Sequence, residues 1–262
     1  MILIGEKLNS SIPKTLAAMQ SKDDEAIRAL IKAQADAGAE YLDINCAMLG
    51  EEEKSELIRI GKMVCDETDF GLMLDSPDPE VLLAALSEFQ GKKVILNSVT
   101  PDEKCLPLIR AAAKANAGVV AMPVSSSAMP SSPEERIAVF EPLIALLESE
   151  GIAPENIYAD IVVQAVAMQD QAGLAALDTL SALRARFPDI RTVCGLSNIS
   201  FGLPGRGKIN AAFLALALSR GLDAAILDAA APAVRDLMPV CRMLLGEDEY
   251  CMDYIEYFTS AE

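Results

Sequence analysis

Short runs of β-branched and aliphatic residues alternate along the chain with longer stretches in which apolar positions recur at helical spacing. Short apolar runs are typical of buried strands, and apolar residues three or four positions apart are typical of one face of a helix. The predicted strands are 2–6, 41–46, 70–74, 93–96, 118–122, 157–160, 192–196 and 224–227. The predicted helices are 23–37, 51–67, 81–89, 102–116, 134–150, 173–186, 210–220 and 233–245.

Eight consecutive strand–helix units favour a closed barrel of parallel strands, because each helix returns the chain to the same end of the sheet. The first strand is not followed by the Gly-x-Gly-x-x-Gly pattern of dinucleotide-binding sheets. The glycines of 202–207 (GLPGRG) also lack that spacing, and we interpret this segment as a loop. A length of 262 residues suits one domain, so we expect an α/β fold, a single (β/α)₈ TIM barrel over residues 1–262.

The Ser/Pro-rich segment 125–133 follows the fifth predicted strand. A loop in this place is either a lid over the mouth of the barrel or an ordinary surface loop.

Composition excludes several classes of partner. The formal net charge of −17 disfavours nucleic-acid phosphates and anionic lipid surfaces. The six cysteines are scattered without a Cys-x-x-Cys pair, so we expect reduced thiols in a cytoplasmic protein. The N-terminus lacks the pattern of a signal peptide, and no run of about 18 apolar residues predicts a membrane span.

The chain contains no histidine. Ser-His-Asp triads, HExxH zinc sites and an imidazole ligand to cobalt are therefore excluded from it. Its chemistry has to use carboxylates, amides, hydroxyls, thiols, lysine or arginine.

Polar side chains follow seven of the eight predicted strands, where the catalytic face of such a barrel lies. They are Glu6, Asn9, Asp43, Asn45, Asp75, Asn97, Asp160, Ser197, Asn198 and Asp228. A single Asp after a strand usually caps the next helix, but a converging ring of carboxylates and amides without lysine suits a neutral heterocycle rich in N–H groups. A pterin is such a ligand, and a divalent metal is the alternative if the carboxylates act together.

The motifs that contain these residues resemble the methyltetrahydrofolate:corrinoid methyltransferase family, which includes the folate domain of cobalamin-dependent methionine synthase. The similarity runs over nearly the whole chain, and its most specific block is GLSNISFGLPGR at 195–206. The other matching segments are GEKLNS at 5–10, YLDINCA at 41–47, LMLDS at 72–76, VILNSVT at 94–100, IYADIVV at 157–163 and RGLDAAILDAA at 220–230.

This resemblance implies specific roles for the strand-end residues. Asp75, Asn97 and Asp160 would hydrogen-bond the pterin, Gly195 and Ser197 would line the same pocket, and Asn198 would lie beside N5, the atom that carries the methyl group. Some members have an amide side chain shortly after the Ser-Asn pair, whereas this chain has Phe201 there.

The resemblance also implies the reaction and its partners. Tetrahydrofolate or 5-methyltetrahydrofolate is the substrate, and cobalt(I) of a corrinoid supplied by a partner protein is the nucleophile, so no protein nucleophile or metal is required. N5 must gain a proton or a strong hydrogen bond as its bond to the methyl group breaks. Asn198 would hold a water or stabilise the protonated atom through its carbonyl oxygen, and a nearby carboxylate such as Asp160 would set the local field. A homodimer is the usual assembly.

Two basic residues lie close to this site in the sequence. Arg206 and Lys208 fall in the segment after the seventh strand, and we expect them to contact the folate tail or the corrinoid protein, or to be solvated. The direction of methyl transfer is open between acetogenic metabolism and O- or N-demethylation, with a demethylating or methylotrophic setting preferred.

Three other functions compete with this one. Dihydropteroate synthase also binds a pterin, but its first-strand Asn-x-Thr-Pro-Asp-Ser-Phe pattern is not found in GEKLNSSIP. A non-catalytic subunit that binds folate or docks the corrinoid protein would not need a partner for N5. A metal-dependent aldolase or isomerase barrel would need a bound metal.

Overall fold

The eight strands of the chain form one closed barrel. The computed structural model describes residues 1–124, 130 and 132–260. Each strand is parallel to its neighbours, the strands follow one another around the barrel in chain order, and the last pairs with the first. They are β1 (Ile2–Asn9), β2 (Tyr41–Asn45), β3 (Gly71–Asp75), β4 (Val94–Val99), β5 (Gly118–Ala121), β6 (Ile157–Asp160), β7 (Arg191–Gly195) and β8 (Ala224–Leu227). The predicted (β/α)₈ TIM barrel is confirmed.

The helices form the outer layer. They are α1 (Pro13–Ser21), α2 (Asp24–Asp36), α3 (Glu53–Glu67), α4 (Pro79–Glu88), α5 (Leu106–Ala115), α6 (Pro133–Ser149), α7 (Ala172–Arg186), α8 (Arg206–Ser219), α9 (Pro232–Leu244) and α10 (Met252–Thr259). Short 3₁₀ helices lie at Ala47–Glu52, Glu103–Cys105, Pro154–Asn156, Leu196–Ser200 and Glu249–Cys251.

The sequence pattern missed two helices and placed the start of a third too late. α1 has only three buried residues and α10 has none, so neither shows a long apolar face. α8 begins at Arg206 rather than at residue 210, because Gly205 adopts a left-handed conformation with φ of 69° and turns the chain into the helix. Arg206 and Lys208 therefore lie in the first helical turn and not in a loop. The predicted lid at 125–133 falls mostly on residues 125–129 and 131, outside the described part of the chain.

Two apolar layers hold the barrel together. The inner layer fills the barrel itself and consists of Ile4, Met73, Ile95, Val120, Tyr158, Val193 and Ala224, one residue from almost every strand. The larger outer layer packs the opposite faces of the strands against the helices. Burial of this aliphatic surface is the main force that stabilises the fold, and the filled interior leaves space for a ligand only at the ends.

Interruptions of the strand register change which residues face the interior. On β1, Gly5 pairs with Leu42 and Leu8 pairs with Ile44, so Glu6 and Lys7 together lie opposite the single residue Asp43. The Lys7 N–H is accepted by Oε1 of the buried Gln34 at 2.9 Å instead of by β2. A bulge of this kind redirects side chains at a barrel rim.

Candidate active site

A cavity of about 1040 Å³ opens at the carboxyl ends of the strands. Register explains how its polar groups meet, because Asn9 pairs with Asn45, Asn45 with Asp75, and Asp75 with Asn97 across β1 to β4. Four polar residues that are far apart in sequence thus stand at one level of the barrel wall. Asp160 at the end of β6 lines the same cavity from across the barrel.

The structure brings nine of the ten strand-end residues together. The cavity wall contains Glu6, Asn9, Asp43, Asn45, Asp75, Asn97, Asp160, Ser197 and Asn198, together with Gly195. Asp228 instead forms an ion pair with Lys7 at 2.7 Å. The expectation of a ring without lysine was wrong, because Lys7, Lys104 and Arg206 also line the cavity.

Asp43, which is buried, and Asp75, which is partly exposed, form an acidic pair. The Asn45 amide donates to Asp75 Oδ2 at 2.9 Å, while Asp43 Oδ1 is buried without a hydrogen-bond partner among the described residues. Burial, opposed by the Asn45 hydrogen bond, raises the pKa of Asp75 to about 6. Burial, and then the charge of Asp75, raises the pKa of Asp43, while a hydrogen bond from Asn97 opposes this shift. The pair can therefore accept further hydrogen bonds, because the described residues do not satisfy all of its oxygen atoms.

Asp160 is supported by its own turn. Its Oδ1 accepts the Val162 N–H at 2.8 Å, and Val162 has a φ of 55°, a left-handed conformation that is rare for a β-branched residue. Burial raises the pKa of Asp160 to about 6, although the hydrogen bond from Val162 and the charge of Arg136 lower it. A turn held in such a conformation at a cavity wall is typical of a functional site.

Asn198 is placed by a 3₁₀ helix and a glycine. It lies in Leu196–Ser200, directly after β7, and a Cβ added to Gly195 would lie 3.0 Å from Asn198 Nδ2. Gly195 therefore leaves room for the amide to lie back against the strand end. The neighbouring Ser197 hydroxyl donates to Glu6 Oε1 at 2.9 Å. Burial is the largest influence on Glu6 and raises its pKa.

Arg206 is engaged by the loop that carries Asn198. Its Nη2 donates to the Ser197 carbonyl at 2.8 Å and its Nε donates to Ser200 Oγ at 3.0 Å. It therefore holds the end of the 3₁₀ helix as well as facing the cavity. Lys208 is exposed and lies outside the cavity wall as far as the structure describes it.

Sequence reasoning missed several wall residues for identifiable reasons. Strict alternation along β1 turns Lys7 away from the interior, and only the bulge brings it in. Ser98 lies opposite the single residue Val120 together with Asn97, because β4 has a similar irregularity between Leu96 and Val99. Asn210 is not among the described residues that line the cavity, but its Nδ2 donates to Ser197 Oγ at 3.4 Å; it belongs to a predicted helix and has no local motif.

Within the described residues, no group of three or more His, Cys, Asp or Glu side chains is arranged to hold a metal ion. Over the same part of the chain, no helix combines the length and apolar character needed to cross a membrane.

Comparison with known proteins defines the class. The family model described as pterin binding enzyme matches residues 5–228. The chain belongs to this family of pterin-binding enzymes. It is 33% identical over 265 residues to the methylcorrinoid:tetrahydrofolate methyltransferase of Eubacterium limosum, covering 98% of this chain and 96% of that protein.

The chain is also similar to more distant proteins. The methionine synthase of Mycobacterium leprae (strain TN) is 27% identical over 269 residues, an alignment that covers 97% of this chain and 22% of the longer protein. Among solved structures, dihydropteroate synthase from Xanthomonas albilineans superposes with a TM-score of 0.70 at 20% identity, covering 93% of each chain. At that identity the likeness shows a shared fold.

Proposed function

We propose that this chain is a methyltransferase that moves a methyl group between N5 of tetrahydrofolate and the cobalt of a corrinoid held by another protein. The observation that carries the proposal is the convergence of Asp75, Asn97, Asp160 and Asn198 on one cavity. The full-length similarity to a methylcorrinoid:tetrahydrofolate methyltransferase supports it.

The acidic wall suits the pterin ring. One carboxylate can accept both the N3–H and the 2-amino group of a pterin, and an amide such as Asn97 can donate and accept at once. With pKa values of about 6, Asp75 and Asp160 are ionised at neutral pH but insufficiently stabilised by the protein alone. Donor groups of the ligand would supply the missing stabilisation, which favours binding.

Asn198 is the group we assign to N5. An amide is not a proton donor at ordinary pH, so its task is to orient N5 or to accept a hydrogen bond from it once it is protonated. Asp160 supplies negative charge in the same cavity and favours a protonated, positively charged N5. The chain thus makes the folate nitrogen a better leaving group, because it holds N5 in position and places negative charge near it.

The corrinoid supplies the metal centre that accepts or donates the methyl group. The chain offers it no imidazole, because it contains no histidine. It does offer exposed apolar side chains on the loops around the barrel mouth, namely Met48, Met168 and Phe201, which are 64%, 85% and 67% exposed. These side chains suit contact with a partner protein, since methionine and aromatic residues are enriched in protein–protein interfaces.

The partner contact can be tested separately from the chemistry. We expect Met168→Ser to slow methyl transfer with a corrinoid protein and to leave transfer with free cobalamin unchanged, since Met168 lies outside the cavity wall. If Met168→Ser transferred the methyl group with the corrinoid protein as fast as the native chain does, this result would argue against docking at this loop.

We also propose a homodimer and a role in acetogenic or demethylating one-carbon metabolism. Exposed apolar residues lie on three neighbouring helices, Leu216 on α8, Leu244 on α9 and Ile255 on α10, and association of two copies would bury them. Sedimentation equilibrium of the purified chain tests the dimer. Rates measured in both directions with the physiological corrinoid protein test the setting.

The central experiment is anaerobic. The purified chain is mixed with 5-methyltetrahydrofolate and cobalt(I) cobalamin, and the visible spectrum of the cobalt is followed. We expect conversion to the methylated corrinoid, and the reverse reaction from methylcobalamin and tetrahydrofolate. Absence of conversion in both directions, also with candidate corrinoid proteins, would reject the proposal.

A further inference from the structure

Arg136 is an unusual residue for a helix on the outside of a barrel. Its side chain is 0% exposed, and it is the one lysine or arginine that is buried within the described part of the chain. It lies on α6, outside the described cavity wall, and its hydrogen bonds to the described residues go to carbonyl and hydroxyl oxygens and not to a carboxylate. A buried guanidinium remains charged and is strongly destabilised unless its surroundings compensate for the loss of water.

Its hydrogen bonds lead to the turn after β6. Nη1 donates to the carbonyl of Ile161 at 2.9 Å and to Thr179 Oγ1 on α7 at 3.2 Å. Nε lies 3.5 Å from the carbonyl of Pro130. The guanidinium therefore ties α6 and α7 to the backbone that directly follows Asp160.

The two ends of one peptide unit join Arg136 to Asp160. The Ile161 carbonyl accepts from Arg136, and the amide N–H of the same peptide bond, on Val162, donates to Asp160 Oδ1 at 2.8 Å. The peptide dipole therefore lies between a cation and a carboxylate with its positive end towards the carboxylate. Hydrogen bonds aligned in this way polarise and strengthen one another.

The conformation of Val162 is what allows this arrangement. Its φ of 55° lies in the left-handed region, where a β-branched residue is strained. Arg136 and Asp160 hold the peptide from opposite sides, and together they compensate for this strain.

We propose that Arg136 is a positioning residue for Asp160, which it orients and keeps ionised through the peptide bond between Ile161 and Val162. This inference rests on the proposed role of Asp160 in binding the pterin. It explains why this cation lies behind the wall: a guanidinium that contacted Asp160 from inside the cavity would pair with it and take the place of the N–H groups of the ligand. Behind the wall it favours the charge on Asp160 while leaving one face of the carboxylate free.

Other groups also act on Asp160. Asp75 lies across the cavity and the two carboxylates repel each other, so that the charge of Asp160 contributes to the raised pKa of Asp75. The buried thiol of Cys194 on β7 also has its pKa raised, first by burial and then by the charge of Asp160. Arg136 is the cation that lowers the pKa of Asp160. Without Arg136, burial would still raise the pKa of Asp160, and the hydrogen bond from Val162 would be left to oppose that rise.

The test compares Arg136→Gln, which keeps a donor but loses the charge, with Arg136→Lys, which keeps the charge. Each is made in the native chain and in an Asp160→Asn background, and binding of 5-methyltetrahydrofolate is measured by calorimetry from pH 5 to 8. We expect Arg136→Gln to move the acid midpoint up by about one pH unit, which weakens binding by roughly tenfold at pH 5 and by about twofold at pH 7. Arg136→Lys should change affinity by less than about threefold, because the charge remains.

The double variants separate positioning from general damage to the fold. In the Asp160→Asn background we expect Arg136→Gln to change affinity less than about twofold, because the charge on which it acts is gone. An equal loss in both backgrounds, or an unmoved acid midpoint, would overturn the inference.

The outcome also distinguishes this inference from the proposed function. If Asp160→Asn binds 5-methyltetrahydrofolate as tightly as the native chain, the pterin role of Asp160 is wrong. If that variant weakens binding and Arg136→Gln does not, only the role of Arg136 is wrong. Carboxyl ¹³C NMR of the chain without ligand, with Asp160→Asn for assignment, reads the titration of Asp160 directly. An Asp160 pKa unchanged by Arg136→Gln would reject the electrostatic part.

Discussion

The two ends of the barrel use their polar groups in opposite ways. At the amino ends of the strands, Asp223 accepts from Arg184 Nη1 at 3.1 Å, from the Thr192 N–H at 2.8 Å and from Thr192 Oγ1 at 2.9 Å. Nearby, Arg191 donates to the Tyr158 hydroxyl at 2.6 Å. At the carboxyl ends, Asp43 has an oxygen without a described partner, and burial raises the pKa of Asp75 and Asp160 to about 6.

The difference separates stability from function within one fold. A carboxylate with three internal donors stabilises the protein and has little left to offer a ligand. A buried carboxylate with one donor destabilises the protein and can bind a ligand that brings donors of its own. Residues of the second kind stand at the end where this fold places its active sites.

The largest effect is expected for Asn198→Ala. Loss of the amide beside N5 should reduce the rate of methyl transfer by roughly 100-fold, as loss of one preorganised polar group does in other active sites, with a much smaller change in folate affinity. Stopped-flow turnover and equilibrium binding measure the two quantities. Normal turnover would show that the N5 assignment is wrong.

Asp160→Asn should weaken folate binding and stabilise the unliganded protein. In the folded chain the pKa of Asp160 is about 6 instead of 3.8, so the folded state binds its proton more tightly than the unfolded chain between these values. The contribution of this group to stability therefore falls as pH rises from about 4 to 6 and stays low above that. Removing the charge should raise the free energy of unfolding at pH 7.5 by about 1–3 kcal/mol.

Urea unfolding at pH 7.5 and at pH 4 checks this prediction. The gain should be present at the higher pH and much smaller at the lower one, where Asp160 is protonated in the folded state and only partly ionised in the unfolded chain. A destabilised Asp160→Asn protein at pH 7.5 would contradict the contrast between the two ends.

Asp223→Ala, at the amino ends of the strands, should destabilise the protein and leave folate binding unchanged. It removes the acceptor of the buried Thr192 N–H and leaves the Thr192 hydroxyl only the Gly221 carbonyl at 3.5 Å, so we expect a loss of about 1–2 kcal/mol in the free energy of unfolding. Folate affinity and turnover should be unchanged at temperatures where the variant remains folded. Weaker folate binding by the folded variant would mean that the two ends are coupled.

The smallest effect is expected for Arg206→Ala. The residue donates to Ser197 and Ser200 and so supports the 3₁₀ helix that carries Asn198. We expect turnover to fall by only a few-fold, because the interactions of exposed charged side chains contribute little free energy. Unchanged folate affinity and an unchanged rate with the corrinoid protein would show that Arg206 contacts neither.

Much of this architecture could be predicted because it depends on local pattern. Eight apolar runs that alternate with helical periods define the barrel. Because active sites of such barrels lie at the carboxyl ends of the strands, Asp75, Asn97 and Asp160 are candidates from the sequence alone. Lys7 could not be found in this way, since a bulge reverses the direction of its side chain. Helices α1 and α10 were missed because they are short, with 9 and 8 residues, and few of their residues are buried.

The sequence by itself determined the barrel, the acidic and amide character of its mouth and, through the absence of histidine, the kinds of chemistry excluded. Only the tertiary structure decided which carboxylates are left short of partners and which are fully paired. The reason is that the pKa and hydrogen bonding of a side chain depend on neighbours that are distant in the chain. Arg136 shows this most clearly: it is an ordinary helix residue in sequence, and only packing brings it to within one peptide bond of Asp160.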